Sequence, residues 1–533
     1  MPSLIIVDFA ALTALILLLH RISTRCSPSL PPGPRRWPLI GSALDFPKKK
    51  PHEAYSAMGR HYHSDLVYLD VAGMSLLVLN STEAANDLFV ERYKLYSDRP
   101  QFTMASELVG WDFAFSTFPY GRRWREYRAL FNQESSPNNL RTHQKPVLQE
   151  CLNIFLQRIL NEPTHFNNHI HFLFGSTMLA SAYGISTNDP NNRYIELAKE
   201  AVRGATEVAI PGTYIVDVFP LLKYLPAWLP GMGFQKKAAY ERRFVEGMVR
   251  EPMEFVRRNM ETGTAKSSMA SRHLQMMQDE GSWSECKEET LRNVLGLLYA
   301  VQGSLVNAEF VAGSDTTATA TKTVILALVC NPESMKKGQA AVDAVIGSDR
   351  LPNFGDESSI PYIDAFVMEV LRWRLVSPLG IAHYASKSDT YRGYYIPANT
   401  IVIGNSWAIL NDPSIYGKEF DVELFRPERF LKLNLDGSET LDRSIPYPEA
   451  AFGFGRRICP GRDLAHSALW LITASLLACF NFAKAVDENG KQIHPDMDYL
   501  DGFISHPRPF QCVIRPRSRM VEDLIHQSVD GQA

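Results

Sequence analysis

The stretch that most constrains this chain is residues 452–461, Phe-Gly-Phe-Gly-Arg-Arg-Ile-Cys-Pro-Gly. After Arg462 it is followed by DLAHSALWLITASLLACF, an apolar-periodic segment that reads as a helix. Cys459 is thereby placed at or just before a helix N-terminus. Backbone N–H groups and the helix dipole stabilise a thiolate there. Arg456, Arg457 and Arg462 add positive charge expected to lower the thiol pKa further. Gly453, Gly455 and Gly461 are read as positions where the backbone turns with φ > 0 and leaves room for a flat group. A solitary core cysteine is ordinarily inert. The glycines and arginines around this one argue instead for a ligand thiolate.

The other cysteines give no competing framework. The chain has seven, Cys26, Cys151, Cys286, Cys330, Cys459, Cys479 and Cys512, without the close pairing of a zinc site. Their number and sparseness exclude a disulfide scaffold and suit a reducing compartment. The net charge of −3 gives no reason to expect a nucleic-acid partner.

Residues 3–20 are apolar except for Ser3, Asp8, Thr13 and His20, long enough to cross a bilayer core of ~30 Å. Arg21 and Arg25 follow that run, so an uncleaved anchor with a cytoplasmic body is expected. The Pro31-Pro32-Gly33-Pro34 stretch reads as a stiff spacer. The expected organisation is an anchor over 1–22, a linker over 23–45, one catalytic domain over 46–516 and a polar, frayed tail over 517–533. Strand-like runs fall at 66–79 and 391–403. Helical periodicity is found at 240–258, 288–300, 318–330, 361–374 and 463–480. The fold class is therefore mainly α with small β-sheets. In 214–234, Pro220, Pro226 and Pro230 interrupt any long helix. Its Tyr224, Trp228 and leucines would either pack in a core or form an exposed patch facing a membrane or a substrate entrance.

Residues 452–461 match FxxGxRxCxG at Phe452, Gly455, Arg457, Cys459 and Gly461, and so the chain resembles the cytochrome P450 family. Other stretches follow in the family's order. Glu369 and Arg372 form ExxR, and Phe425–Phe430 resembles the segment whose Arg429 braces the cysteine loop with them. Trp124 and Arg128 resemble WxxxR, which, with Arg457 and His383, the resemblance assigns to the haem propionates. Ala312–Thr317 resembles the oxygen-activating stretch, with Thr316 as hydrogen-bond donor to bound dioxygen and Asp315 in the proton relay.

The resemblance implies a cytochrome P450 fold carrying haem b on Cys459, in which the thiolate favours O–O cleavage. It implies a monooxygenase of the endoplasmic reticulum membrane, single-pass, similar to fungal members. One oxygen atom would enter a small hydrophobic substrate, such as a terpenoid secondary metabolite or an aromatic xenobiotic. Electrons would come from NADPH through a separate flavoprotein reductase, since the chain shows no dinucleotide-binding GxGxxG. Basic residues Arg122, Arg123, Arg125, Arg456 and Arg462 are candidate contacts for that partner. Substrate contacts are expected from 102–118, 205–219, 377–381 and 503–506.

One departure stands out. Val301–Val311, VQGSLVNAEFV, separates NVLGLLYA from AGSDTT, which relatives join almost directly. Either it lengthens the distal helix by about three turns, or it is foreign to the working enzyme, such as a translated intron. Composition half supports a helix, since Leu305, Val306, Ala308 and Phe310 are apolar but Gly303, Ser304 and Asn307 are poor helix formers; the segment's length and its place directly before the most constrained motif favour the second reading. It leaves a catalytically dead chain as a rival to the monooxygenase. A haem-thiolate dehydratase or isomerase is another, against which the intact Asp315-Thr316 pair argues.

Overall fold

The computed structural model describes residues 29–71, 73–189, 192–208, 214–302 and 316–530. The anchor expected over 1–22, Asp315 and most of 301–311 lie outside them. Among the described residues, no helix is long and apolar enough to cross a membrane. The chain divides into two compact units.

The first unit draws on Met1–Pro100, Leu379–Ile409 and Gly453–Ile458. Helix α1 (Pro51–His61) packs on a sheet of β1 (Leu66–Val71), β2 (Met74–Leu79), β3 (His383–Tyr384) and β6 (Ile401–Gly404). The run 66–79 is thus a hairpin. Leu66 faces Leu79 and Val71 faces Met74, and the turn closes as Gly73 N–H donates to Asp70. β6 adds to β2 in parallel, Leu76 beside Ile401, and β3 joins the other edge of β6. The run 391–403 is split. β4 (Asp389–Tyr391) pairs with β5 (Tyr394–Ile396), and Pro397 and Asn399 turn the chain into β6.

The second unit holds Gln101–Pro378, Leu410–Phe452 and Cys459–Ala533. Its longer helices are α2 (Arg122–Glu134), α3 (Lys145–Asn161), α4 (Phe166–Tyr183), α5 (Arg193–Val208), α6 (Phe234–Glu261), α7 (Met269–Asp279) and α8 (Glu285–Gln302). They continue as α9 (Thr316–Cys330), α10 (Pro332–Ile346), α11 (Pro361–Trp373), α12 (Arg462–Cys479) and α13 (Arg519–Asp530). The two hairpins are β7 (Leu431–Leu433) with β8 (Glu439–Leu441), and β9 (Phe480–Lys484) with β10 (Cys512–Pro516). α9 is buried on nearly every face, and Val324–Val329 pack against α11 and α12 in one continuous core. A helix apolar all round is stable only at such a centre.

One sequence expectation changes. The tail beyond Arg517 is helical rather than frayed. Ile525 is fully buried in the core, and Asn153 Nδ2 on α3 donates to Ser528 O at 3.4 Å. Ile525, with Val521 packed beside it, and this hydrogen bond help hold a helix that its polar composition concealed. Residues 214–234 answer to both readings: short helical turns leave Leu221, Tyr224 and Trp228 75–78% exposed as a patch, while Val216 and Met232 are buried in a core that Leu222 and Leu229 pack against.

α2 is fixed through its last residue. Glu134 is buried and accepts from Arg272 Nη2 and His273 Nε2, both at 2.8 Å. Burial works to raise its pKa, but the His273 and Arg272 contacts outweigh it and hold the carboxyl below the ordinary value. A depressed carboxyl stabilises the fold above its unfolded pKa and loses that contribution as pH falls through the folded one. Glu134→Gln is expected to cost about 2 kcal/mol at neutral pH, less than a fully buried pair because Arg272 is partly exposed. The gap in Tm between parent and variant should close below about pH 4. A gap that stays constant down to pH 3 would assign the loss to packing instead.

Candidate haem-thiolate site

The approach to Cys459 is made by tight turns. Phe452 ends a helical turn begun at Glu449, and its carbonyl accepts the Cys459 N–H at 2.8 Å. α12 starts at Arg462 with Gly461 as N-cap, so Cys459 lies two residues before the cap. Gly453 and Gly455 take φ of 88° and 53°, the left-handed region that favours glycine. At Gly455, a Cβ would come within 2.2 Å of the Phe89 carbonyl oxygen, so no other residue fits. Gly461 differs from the expectation: its φ is −89°, and a Cβ would stand 3.9 Å from Cys459 Sγ. Neither backbone nor packing demands glycine there.

The Cys459 side chain keeps accessible surface, yet protein surrounds it closely. Burial is the largest influence on the thiol and pushes it up. The Gly461 N–H, Arg128 and Arg462 pull it down, and Asp463 adds to the rise. The net direction is upward, the reverse of the sequence expectation, because desolvation penalises the anion more than the cations favour it. A bound metal ion removes that penalty by deprotonating a coordinating thiol outright.

The cations are also reassigned. Arg457 is buried and its Nε donates to Ser97 O at 2.7 Å. Arg456 lies over the Tyr93 ring at 4.6 Å. In the second unit, Arg128 is half-buried one helical turn from the buried Trp124, its guanidinium 6.0 Å from the indole. Burial lowers the Arg128 pKa, the Cys459 side raises it, and Arg462 lowers it again.

Within the first unit, His383 is buried, stacked on Phe89 at 4.0 Å, with Nδ1 2.7 Å from Tyr96 O. A carbonyl only accepts, so Nδ1 carries the proton and Nε2 is left as an acceptor. Burial, Arg99 and Arg457 hold the imidazole well below its usual pKa. It is neutral here, and an anion alongside would be needed to charge it. Arg99 has no counterpart among the sequence candidates. It is buried, donates to Ile381 O at 2.6 Å and Ala382 O at 2.8 Å, and its pKa falls through burial and Arg457. No periodic or spacing signal marked it. Two buried guanidiniums that repel each other beside an imidazole make a donor set suited to carboxylates.

Glu369, Arg372 and Arg429 meet in the second unit and are buried. Arg372 donates to Glu369 through Nε at 2.7 Å and Nη2 at 2.9 Å, and Arg429 Nε reaches both carboxylate oxygens at 3.1 and 3.2 Å. Arg426 N–H adds a contact at 2.9 Å. The remaining guanidinium N–H groups go to carbonyls: Arg372 to Val422, and Arg429 to Tyr416, Phe420, Asp421 and Leu424.

Thr316 is the first residue described on α9 and is half-buried. One turn on, Thr319 Oγ1 lies 2.6 Å from His506 Nδ1, and Thr323 Oγ1 lies 2.9 Å from the Tyr499 hydroxyl. This polar edge on an otherwise apolar helix escaped the sequence reading, because a threonine at helical spacing signals nothing by itself.

The profile of the family described as Cytochrome P450 matches residues 31–514. The Cytochrome P450 monooxygenase ple1 of Rhodocybe pseudopiperita is 40% identical over 496 residues, 93% of this chain and 91% of that protein. The Tryptamine 4-monooxygenase of Psilocybe cyanescens is 39% identical over 498 residues, 92% of this chain and 94% of its own length. Cytochrome P450 monooxygenase 208 of Postia placenta is 39% identical over 514 residues, 96% and 95% of the two chains.

Arg429→Ala should strip Glu369 of one partner and leave the Tyr416, Phe420, Asp421 and Leu424 carbonyls short of donors, at a cost of about 3–5 kcal/mol. Arg429→Lys should recover little, since an ammonium cannot reproduce the planar fork. Limited proteolysis followed by mass mapping checks this: early cleavage should appear between residues 416 and 426. Parent-like resistance in Arg429→Ala would show that the arginine does not brace this segment.

Proposed function

Since this chain belongs to the cytochrome P450 monooxygenase family, we propose that Cys459 is its haem ligand and that it oxygenates a small hydrophobic or aromatic substrate. The family's haem, held through a cysteine thiolate, supplies dioxygen activation when bound. The observation that carries the assignment is the setting of Cys459. It is an accessible sulfur enclosed by protein, its backbone pinned to Phe452, with Arg128 and Arg462 favouring its anion.

The family resemblance assigns Arg128, Trp124, Arg457 and His383 to the haem carboxylates, and within the first unit Arg99 stands with Arg457 and His383. Their chemistry fits. Arg99 and Arg457 raise each other's cost of staying charged while buried, and an anion relieves that cost. A carboxylate beside His383 would also raise the imidazole pKa, so that Nε2 could take up a proton from solvent and become a donor. Phe452, Gly455 and Gly461 shape the turn that presents the sulfur. Glu369, Arg372 and Arg429 keep the preceding segment rigid and take no part in chemistry.

On the opposite side of the reaction, Thr316 would hold a proton at its hydroxyl toward bound dioxygen, with Asp315 passing protons to it. A hydroxyl at the start of α9 keeps its donor only if it is not spent on the helix's own carbonyls. Electrons would come from NADPH through a separate flavoprotein reductase, and an N-terminal anchor would keep the chain on the endoplasmic reticulum membrane. Aromatic side chains from 102–118 support an apolar substrate: Phe113, Phe115 and Phe118 are buried, with Trp111 stacked on Phe113 at 5.4 Å. The tryptamine 4-monooxygenase among the relatives acts on a small aromatic amine, which supports the same class.

Supplied with reductase, NADPH, isotopically labelled dioxygen and a fungal metabolite extract, the purified protein should yield products carrying a single labelled oxygen. Products formed without NADPH and without label would point to a dehydratase or isomerase instead. Thr316→Ala should keep the cofactor and NADPH consumption but send most reducing equivalents to hydrogen peroxide, a loss of coupling of about tenfold or more. Unchanged coupling would remove Thr316 from the proton path.

A further inference from the structure

Outside the site, the second unit holds a polar cleft where α2, α6, α8 and the 110–113 loop converge. Its cavity measures about 220 Å³. A site for one water needs only ~10–15 Å³, so there is room for a multi-atom ligand. One face of α6 supplies Arg242, Glu246 and Arg250 at successive i,i+4 positions. One face of α8 supplies Glu289, Arg292 and Asn293, and Arg123 comes from the first turn of α2. The floor is apolar. Phe113 and Val249 both close on Gly296 of α8, where a Cβ would stand 3.5 Å from Phe113 and 3.0 Å from Val249.

The arginines of this cleft keep donors to spend. The Arg123 guanidinium lies 4.3 Å from the Phe118 ring and 5.5 Å from that of Tyr127, and it makes no hydrogen bond among the described residues. Stacking occupies the flat face of a guanidinium and leaves its edge N–H groups free. Asn293 donates to the Tyr127 hydroxyl at 3.1 Å and steadies that ring. Arg242 donates to Glu246 at 2.9 Å and to the Glu107 carbonyl at 3.2 Å, which leaves one terminal nitrogen uncommitted. Arg250 and Arg292 have neither an ion pair nor a side-chain hydrogen bond among the described residues. Three carboxylates share the cleft: Glu246 is already paired, and Asp112 and Glu289 are exposed to water. The surplus is one positive charge. Donor capacity decides the sign of the ligand, because three arginines have open forks that match phosphate or carboxylate oxygens.

We infer that this cleft is an effector site for a small multivalent anion bearing phosphate or carboxylate groups. Arg123, Arg250 and Arg292 hold the anion, and Arg242 forms a fixed wall beside it. The bound anion ties α2, α6 and α8 to the 110–113 loop. Phe113 carries that tie inward, since Trp111 stacks on it at 5.4 Å. The anion therefore stiffens part of the 102–118 stretch without touching substrate. Its reach to substrate rests on the reading of 102–118 as a substrate wall, whereas the binding itself does not.

Isothermal titration of the haem-loaded full chain with pyrophosphate, and separately with citrate, tests this at constant ionic strength. One saturable site is expected, and the tighter of the two anions shows whether phosphate or carboxylate is preferred. Arg250→Ser with Arg292→Ser should weaken binding by roughly tenfold per guanidinium lost, with the ligand-free Tm unchanged. Glu289→Gln should tighten it about threefold, since a like charge leaves the cleft. Amides of 110–113 should exchange more slowly with deuterated water once the anion is bound. Dissociation constants weaker than about 1 mM for both anions overturn the inference. Full affinity in the double variant also overturns it, because the anion then sits elsewhere. Saturable binding of spermidine but of neither anion would reassign the cleft to cations, through Asp112 and Glu289. Unchanged exchange of 110–113 in the anion complex would overturn the tie to the loop. The titration reads binding and not turnover, so its result is separate from that for the haem ligand.

Discussion

A buried carboxylate shared between two arginines is the interaction on which the second unit depends. Glu369 stands on α11, Arg372 one turn later, and Arg429 arrives from a distant loop. Three ionised groups in a dry interior are costly unless every donor and acceptor is used. Here the surplus N–H groups are spent on carbonyls of 416–424, a stretch with little regular structure of its own. The charges therefore hold in place backbone that no helix or sheet would hold. Hydrophobic packing supplies bulk stability around them, as Phe366 and Trp373 on α11 meet Phe425 edge-on.

The site follows a different principle. Cys459 is placed by one backbone hydrogen bond and by the start of α12, and without a metal its surroundings favour the neutral thiol. The cations near it are too few to offset desolvation. The protein thus presents a sulfur that an iron would ionise, in place of a free thiolate open to oxidation. The buried group of Arg99, Arg457 and His383 in the first unit has the matching character: three potential donors whose charges disfavour one another until an anion joins them.

Much of this was legible in the amino-acid sequence, and the reasons differ by residue. Gly455 and the Glu369–Arg372 pair could be read because their constraint is local: a left-handed backbone in one case, a single helical turn in the other. Helices α8 and α11 were readable from the apolar period of a buried face, and α9 and α12 from long apolar runs. Arg99 was not, since its role comes from strands that bring residues 381–383 beside it from far along the chain. The sign of the Cys459 shift was misread because a sequence shows neighbouring charges but not desolvation. Helix α13 was missed because its apolar face, Ile525 with Val521 beside it, is short and set in a polar tail.

The central claim is that Cys459 provides the thiolate that holds a haem iron, and carbon monoxide binding to the reduced protein tests it most directly. The parent chain should show the long-wavelength Soret band of thiolate-ligated haem. Cys459→Ala, with haem supplied, should show either no haem or the shorter-wavelength band of a haem without sulfur. A long-wavelength band that persists in Cys459→Ala would contradict the account, because another group would then have to be the ligand.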